Sequence, residues 1–315
     1  MRKRIYALLS MGLLSVPAVG FAEDAVLDAP LLVMRHLATS LNQEAAKPST
    51  SVDLTKIDKS SYTLLNPTPQ PHLREMEALY KSPYTVDAGH AQIETYLVGY
   101  AHDRDTASGA DTRTETWRIA PTTLKFGVLN HLDLQLDLAP YTRVRTADRV
   151  TGMTTTQSGF GDLTARAKLN LWGNDGGSTA LALAPFVKFP TSQDGLGNDA
   201  VEGGLTVPIA VELPRGWWLG LSPELSFLRN SSGRGYSPAF ANIAYLWHEI
   251  IGKLSGYLEF SSWVSFERGS RWVGTVDFGL TYLLKKNIQL DAGVLLGVTR
   301  AAPDVNPFLG ASVRF

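Results

Sequence analysis

Period-two alternation of apolar and polar residues returns twelve times between Ala91 and Phe315, and it constrains this chain more than any other feature. The clearest copy is Leu132–Leu138, which reads Leu-Asp-Leu-Gln-Leu-Asp-Leu. Successive side chains of a strand point to opposite faces, so such a segment has one apolar face and one wet face. The strands are read near 91–102, 117–129, 132–146, 159–172, 179–190 and 201–213. Six more lie near 217–228, 238–248, 253–267, 272–284, 288–300 and 306–315. Pro121 blurs the second and predicts a bulge or a late start there. Strands of a dozen residues suit an apolar band about 25 Å tall crossed at a tilt, whereas sandwich strands average about 5–6 residues.

Connections alternate in length. Asn130-His131, 173–177, 214–216, 249–252 and 285–287 are tight, while 103–114, 147–158, 191–200 and 229–237 are long, with shorter links at 268–271 and 301–305. This is the asymmetry of an outer-membrane barrel, with short periplasmic turns and longer outer loops. Aromatics gather near both ends: Trp172, Trp217, Trp247 and Tyr282 by the short turns, Tyr141, Phe160, Phe189, Phe266 and Trp272 by the long loops. The expected fold is therefore all-β: a transmembrane antiparallel up-and-down β-barrel of twelve strands in the cell outer membrane. The last strand alternates Leu309, Ala311, Val313, Phe315. Its aromatic terminus, Phe315, is expected to be the assembly signal for the outer-membrane assembly machinery, with outer-membrane lipids as the other partner.

Met1–Ala22 carries Arg2, Lys3 and Arg4, an apolar run broken by Pro17, and small residues at its end. That is a secretory signal peptide. Its removal takes the net charge from −1 to −1 − 3 = −4, so nothing favours nucleic acid. With no cysteine, an exported chain of this kind is held by backbone pairing and packing alone. Residues 23–82 carry Pro48, Pro67, Pro69 and Pro71 and little alternation, with short helices expected at Ala25–Asn42 and His72–Tyr80. Two readings stand for this mostly irregular, partly helical segment: a loosely ordered leader, or a plug or cap at the lumen of a barrel formed by 83–315.

Several stretches resemble the family named for the MetA pathway of phenol degradation. They are Pro83–His90, Ala139–Arg145, Ser158–Leu163, Asn170–Gly177, Asp194–Asn198 and Asp304–Phe308. The resemblance spans about residues 83–315, implies an outer-membrane barrel and transport, and supplies no catalytic residue. Residues 23–65 fall outside it.

No constellation for enzyme chemistry, cofactor or metal emerges. The six histidines are scattered, and no Gly-x-Ser-x-Gly elbow is present. His248 is expected to point inward, which argues against a lipid hydrolase. Asp194, Asn198 and Asp199, or Asp103 and Asp105, could hold calcium through oxygen, but solvated loop polarity is the plainer reading. By parity the inward face carries Glu94, Lys125, Asp133, Asp137, Arg143, Arg145, Asp162, Arg166, Lys168, Lys188, Glu202, Glu224, Glu259, Asp277 and Asp291, with Glu212 and Arg314 beside them. A wall this charged holds water or paired ions. A hairpin between the third and fourth strands is expected to place residues opposite one another when their numbers sum to about 305, setting Asp137 against Lys168 and Arg143 against Asp162. The expected function is passive passage of small solutes, aromatic or amphipathic ones among them, through a narrow polar lumen. The alternatives are a non-conducting binding or structural barrel and, behind it, an outer-membrane lipid hydrolase.

Overall fold

The computed structural model describes residues 61–68, 82–106 and 110–315. The expected signal peptide and the helices expected at 25–42 and 72–80 lie outside the described residues. Seventeen strand segments form one antiparallel sheet. They are β1 (Ala91–Asp105), β2 (Thr112–Ile119), β3 (Thr122–Leu129), β4 (Leu132–Leu138), β5 (Tyr141–Asp148), β6 (Thr154–Gly159), β7 (Leu163–Trp172), β8 (Thr179–Phe189) and β9 (Glu202–Thr206). Then come β10 (Ile209–Leu213), β11 (Trp217–Leu221), β12 (Glu224–Arg229), β13 (Tyr236–Ile251), β14 (Leu254–Ser265), β15 (Val273–Lys285), β16 (Ile288–Gly297) and β17 (Val305–Arg314). Five pairs, β2/β3, β4/β5, β6/β7, β9/β10 and β11/β12, are halves of a single crossing, so the wall has 17 − 5 = 12 crossings.

The sheet closes on itself where β1 pairs with β17, Gln92 opposite Arg314 and Glu94 opposite Ser312. Closure removes the sheet edge, whose unpaired N–H and C=O groups could not be satisfied in lipid. Packing is inverted relative to a soluble protein. The most deeply buried side chains include Glu259, Asp133, Asp277, Thr142 and Thr206, while Leu171, Trp172, Phe227, Phe240, Phe278 and Leu309 are exposed. Only an apolar solvent outside makes that arrangement stable.

Most breaks between paired segments fall at proline: Ala120-Pro121, Ala139-Pro140, Val207-Pro208 and Ser222-Pro223. Proline has no N–H for the ladder, so the strand pauses there. The last two breaks leave alternation intact, with Thr206, Pro208 and Ala210 all buried. The first two, with a bulge at Tyr96/Val98 in β1 and the break at 160–162 in β6/β7, invert it. These four interruptions are neighbours: just below them Thr95 pairs with Thr122, Thr122 with Leu138, and Asp137 with Thr164. Below the line Asp133, Gln135 and Asp137 face inward; above it Thr142, Val144 and Thr146 do. Arg143 and Arg145 are consequently exposed on the outer face, not on the inner face that uninterrupted alternation predicts. One residue outside the pleat reverses every side chain that follows.

Two further differences concern strand ends. The first two loops are shorter than expected, because β1 runs to Asp105, β2 starts at Thr112, β5 runs to Asp148 and β6 starts at Thr154. Trp247 and His248 exchange faces relative to expectation. Trp247 packs against the buried Tyr96, Tyr257 and Phe308. His248 stacks on the exposed Trp217, ring centroids 4.5 Å apart and planes 9° from parallel, with Nδ1 3.1 Å from the Gly216 carbonyl.

At the seam, Phe315 N–H donates to the Ala91 carbonyl (2.8 Å) and Ala91 N–H to the Phe315 carbonyl (3.2 Å). His90 Nδ1 lies 3.0 Å from that same Phe315 oxygen. Deleting Phe315 therefore removes closing hydrogen bonds as well as the proposed recognition element. At about 1 kcal/mol for each of two bonds, the folded barrel should survive while assembly slows markedly. Time courses of heat-modifiable gel mobility after synthesis in cells that carry the assembly machinery would check this, and equal rates for both forms would contradict it.

Candidate functional site: the barrel lumen

The inner wall of β3–β9 is laced with ion pairs. Lys125 Nζ meets Glu94 Oε1, and Glu94 also accepts from Gln92 Nε2 (2.5 Å), which in turn accepts from Arg314 Nε (2.6 Å). Arg166 lies 3.7 Å from Asp137, donates to Thr206 Oγ1 (2.9 Å), and sits 4.7 Å above the Phe186 ring. Thr206 passes the network on to Glu224 (2.8 Å). Lys188 Nζ lies 2.5 Å from Glu202 and 3.4 Å from Asp162. Buried charges survive when paired and hydrogen-bonded, and this wall meets both conditions.

The wall of β14–β16 differs. Glu259 stands directly opposite Asp277, and Asp291 follows on the next strand. All three are buried, and among the described residues no Lys or Arg lies within ion-pair distance of them. Ser261 Oγ donates to Glu259 (2.8 Å) and Gln289 Nε2 to Asp291 (2.7 Å). Beside these carboxylates, Tyr96 and Phe308 meet edge to face, centroids 4.8 Å apart and planes at 73°. Tyr257 and Trp247 join them. The Tyr257 ring lies across Gly279 and the Phe308 ring across Gly293, where a Cβ would overlap the aromatic atoms. Glycine is required at both positions for the rings to lie against the wall.

The stretch preceding β1 enters the same space from the end that carries the short turns. Ser82, Pro83, Thr85, Val86, Asp87 and Ala88 are all buried. Lys168 Nζ donates to the Tyr84 carbonyl and Asn170 Nδ2 to the Pro83 carbonyl, both at 2.8 Å. Val86 N–H donates to Asp133 Oδ2 (3.0 Å) and Thr85 N–H to Asn174 Oδ1 (3.0 Å). A Cβ at Gly127 would overlap the Asp87 carbonyl, so β3 needs glycine where this segment crosses it. His90 Nε2 is 3.1 Å from the Thr68 carbonyl, and Leu64 N–H donates to Val128 (2.8 Å), which ties residues 61–68 to the same end.

Two sequence expectations need correction. Facing residues of the third and fourth crossings sum to 301, not 305: Asp133 faces Lys168, Gln135 faces Arg166, and Asp137 faces Thr164. Arg143 faces Ser158, not Asp162. The shift is even, so the inner faces of β4 and β7 still meet although the partners change. The structure places Glu94, Lys125, Asp133, Asp137, Asp162, Arg166, Lys168, Glu202, Glu224, Glu259, Asp277 and Asp291 in buried positions, and Lys188 half-buried opposite Glu202. Glu212 is exposed opposite Trp218 at the end of β10. Sequence reasoning missed Tyr96, Tyr257, Phe308 and Trp247. Tyr257 shares its parity with Ser255 and Glu259, and an aromatic at a polar parity was the available signal.

Comparison with known proteins gives the following. The family model for the MetA-pathway of phenol degradation matches residues 80–315. No curated protein matches the chain. An outer-membrane channel from Pseudomonas putida F1 is similar in structure, with a TM-score of 0.52 at 15% identity, covering 77% of this chain and 98% of that one. The transport unit of the autotransporter AIDA-I from Escherichia coli is also similar, with a TM-score of 0.50 at 11% identity, covering 78% and 95%. These likenesses are likenesses of fold: a closed barrel of the outer membrane.

Proposed function

The chain belongs to the family of the MetA pathway of phenol degradation, and from that premise we propose that it is a passive outer-membrane channel for small aromatic or amphipathic solutes. The observation that carries the reading is the lumen patch in which Tyr96, Tyr257, Phe308 and Trp247 adjoin Glu259 and Asp277. A phenol-like solute would lay its ring against the part-exposed Trp247 that edges this buried cluster. Aromatic pairing contributes about 0.5–1.5 kcal/mol, enough to favour passage and too little to trap the solute. The paired charges of β3–β9 brace the opposite wall and narrow the route. Signal peptide 1–22, N-terminal segment 23–82 and barrel 83–315 form the proposed organisation, with the assembly machinery reading Phe315. No enzymatic role is proposed.

Reconstituted protein is expected to give stepwise conductance in planar bilayers. In vesicle-swelling assays, Tyr257→Ala should slow phenol entry more than entry of a sugar of similar size. Absence of both conductance and flux from well-folded protein would sink the proposal. A second reading, a non-conducting barrel, draws support from the packing of Pro83–Asp87 into the mouth. It predicts silence even after that segment is removed.

A further inference from the structure

The inverted alternation above the line of bulges leaves a cationic surface outside the barrel that the channel reading does not use. On the outer face of β2, β5 and β6, side chains stand in rows set by the register: Trp117, Arg143, Ser158, then Glu115, Arg145, Thr156, then Arg113, Ala147, Thr154. Tyr100, His102 and Arg104 of β1 continue these rows. Directly opposed residues of an antiparallel pair share a face about 5 Å apart, so this is one contiguous patch. Asp111, just before β2, pairs with Arg104 (3.1 Å), and Asp194 Oδ2 accepts from the Ser158 N–H (2.9 Å) at the edge of the patch; on that face of β2, β5 and β6 themselves Glu115 is the one carboxylate. It is shared between Arg113 (2.6 Å) and Arg145 (3.3 Å), whose side chains stay 41% and 47% exposed. Arg143 has no ion-pair partner among the described residues and is exposed.

The height of the patch identifies what it meets. On the third crossing the outer face is apolar from Leu132 to Tyr141, and Arg143 is the next outward residue. Those residues rise about 3.3 Å each along the strand, and at a tilt of about 40° they span about 25 Å, the height of the apolar band. Trp117, 46% exposed and 4.7 Å from Tyr100, marks the upper interface at the same row as Arg143. The short turns and the chain end lie at the other, periplasmic rim. The arginines therefore stand at the headgroup level of the outer leaflet.

We infer that this face binds the phosphate groups of the outer-leaflet glycolipid, lipid A. Guanidinium forks match phosphate oxygens in bidentate geometry, and the hydroxyls of Thr154, Thr156 and Ser158 stand beside them as donors. The acyl chains would lie on the apolar band below. Arg143, exposed at the edge of lipid and without an ion-pair partner among the described residues, would take its counter-ion from the membrane.

The full-length protein in detergent would be titrated with diphosphoryl lipid A in mixed micelles and, separately, with the same lipid after phosphatase treatment, with binding read by native mass spectrometry. The wild type should prefer the phosphorylated form by at least about tenfold, and the double substitution Arg143→Gln, Arg145→Gln should lose that preference. Glu115→Gln, which removes the competing carboxylate, should bind more tightly. Heat-modifiable mobility would establish that each variant is folded. Should the double variant fail to fold, the two lipids on wild type and the Glu115→Gln variant decide alone. Equal binding of both lipids by the wild type, or unchanged binding by a folded double variant, would overturn the inference.

Discussion

Deletion of Glu23–Asp87 is expected to raise single-channel conductance severalfold while leaving the barrel folded. Among the described residues before β1, the part that packs into the mouth is short. Pro83, Tyr84, Thr85 and Val86 engage Asn170, Lys168, Asn174 and Asp133 through their own backbone atoms. Four such bonds, at about 1 kcal/mol each, hold the segment against the inner wall without making the wall depend on it. Lys168 and Asp133 face one another across β4 and β7, so each can take the other as partner once the segment is gone. Retaining His90 preserves its contact with the Phe315 carbonyl at the seam. A deletion that stops at Pro71 leaves the buried stretch 82–88 in the chain and should conduct less than the longer deletion. Planar-bilayer recordings of both deletions make the test. Equal conductance from intact protein and the longer deletion, both heat-modifiable, would show that the segment does not narrow the route.

Lys188→Met is expected to be the most destabilising single substitution of a lumen charge. It removes the cation shared by two carboxylates, Glu202 and Asp162, whose side chains are 1% and 5% exposed and which keep only neutral or backbone donors from Asn198, Arg229 and Ser192. Breaking a buried ion pair from one side costs about 3–5 kcal/mol because the surviving charge is left in place. The Lys188 side chain is 18% exposed, and partial hydration should bring the loss toward the lower end of that range. The methionine keeps length and packing, so the loss measures charge; Lys188→Arg should recover most of it. Removing the outer pair between Arg104 and Asp111, 51% and 30% exposed, should cost well under about 1 kcal/mol. Urea unfolding midpoints in phospholipid vesicles compare the three. A Lys188→Met midpoint equal to wild type would mean that water already screens Glu202 and Asp162, and the lumen would then be far wetter than its burial indicates.

Both expectations turn on details that were unevenly legible in the chain. Pro121 announced its bulge. Pro140 carried the same signal within an alternating run, Thr-Arg-Val-Arg, that reads as unbroken, so Arg143 and Arg145 were assigned to the wrong face. The same proline that resembles a family motif is the one that inverts the strand above it. The charge ladder was readable residue by residue, but the choice of partner was not. Lys125 takes Glu94 from the crossing on its other side, and Arg166 reaches Asp137 on the diagonal.

The chain alone determined the crossings, the apolar outer face and the closed sheet, because period two is local and lipid leaves no other home for unpaired backbone groups. It also determined which lumen positions near the periplasmic end are charged. Tertiary structure decided the register of 301, since closing twelve tilted strands sets one stagger for all of them and outweighs the preference of a single hairpin. It likewise decided that four interruptions align across neighbouring crossings, so that inside and outside exchange above one line. And it decided where Pro83–Asp87 goes. A segment without alternation has no face of its own, and only the assembled wall, with glycine at 127 and donors at 168 and 170, gives it a place.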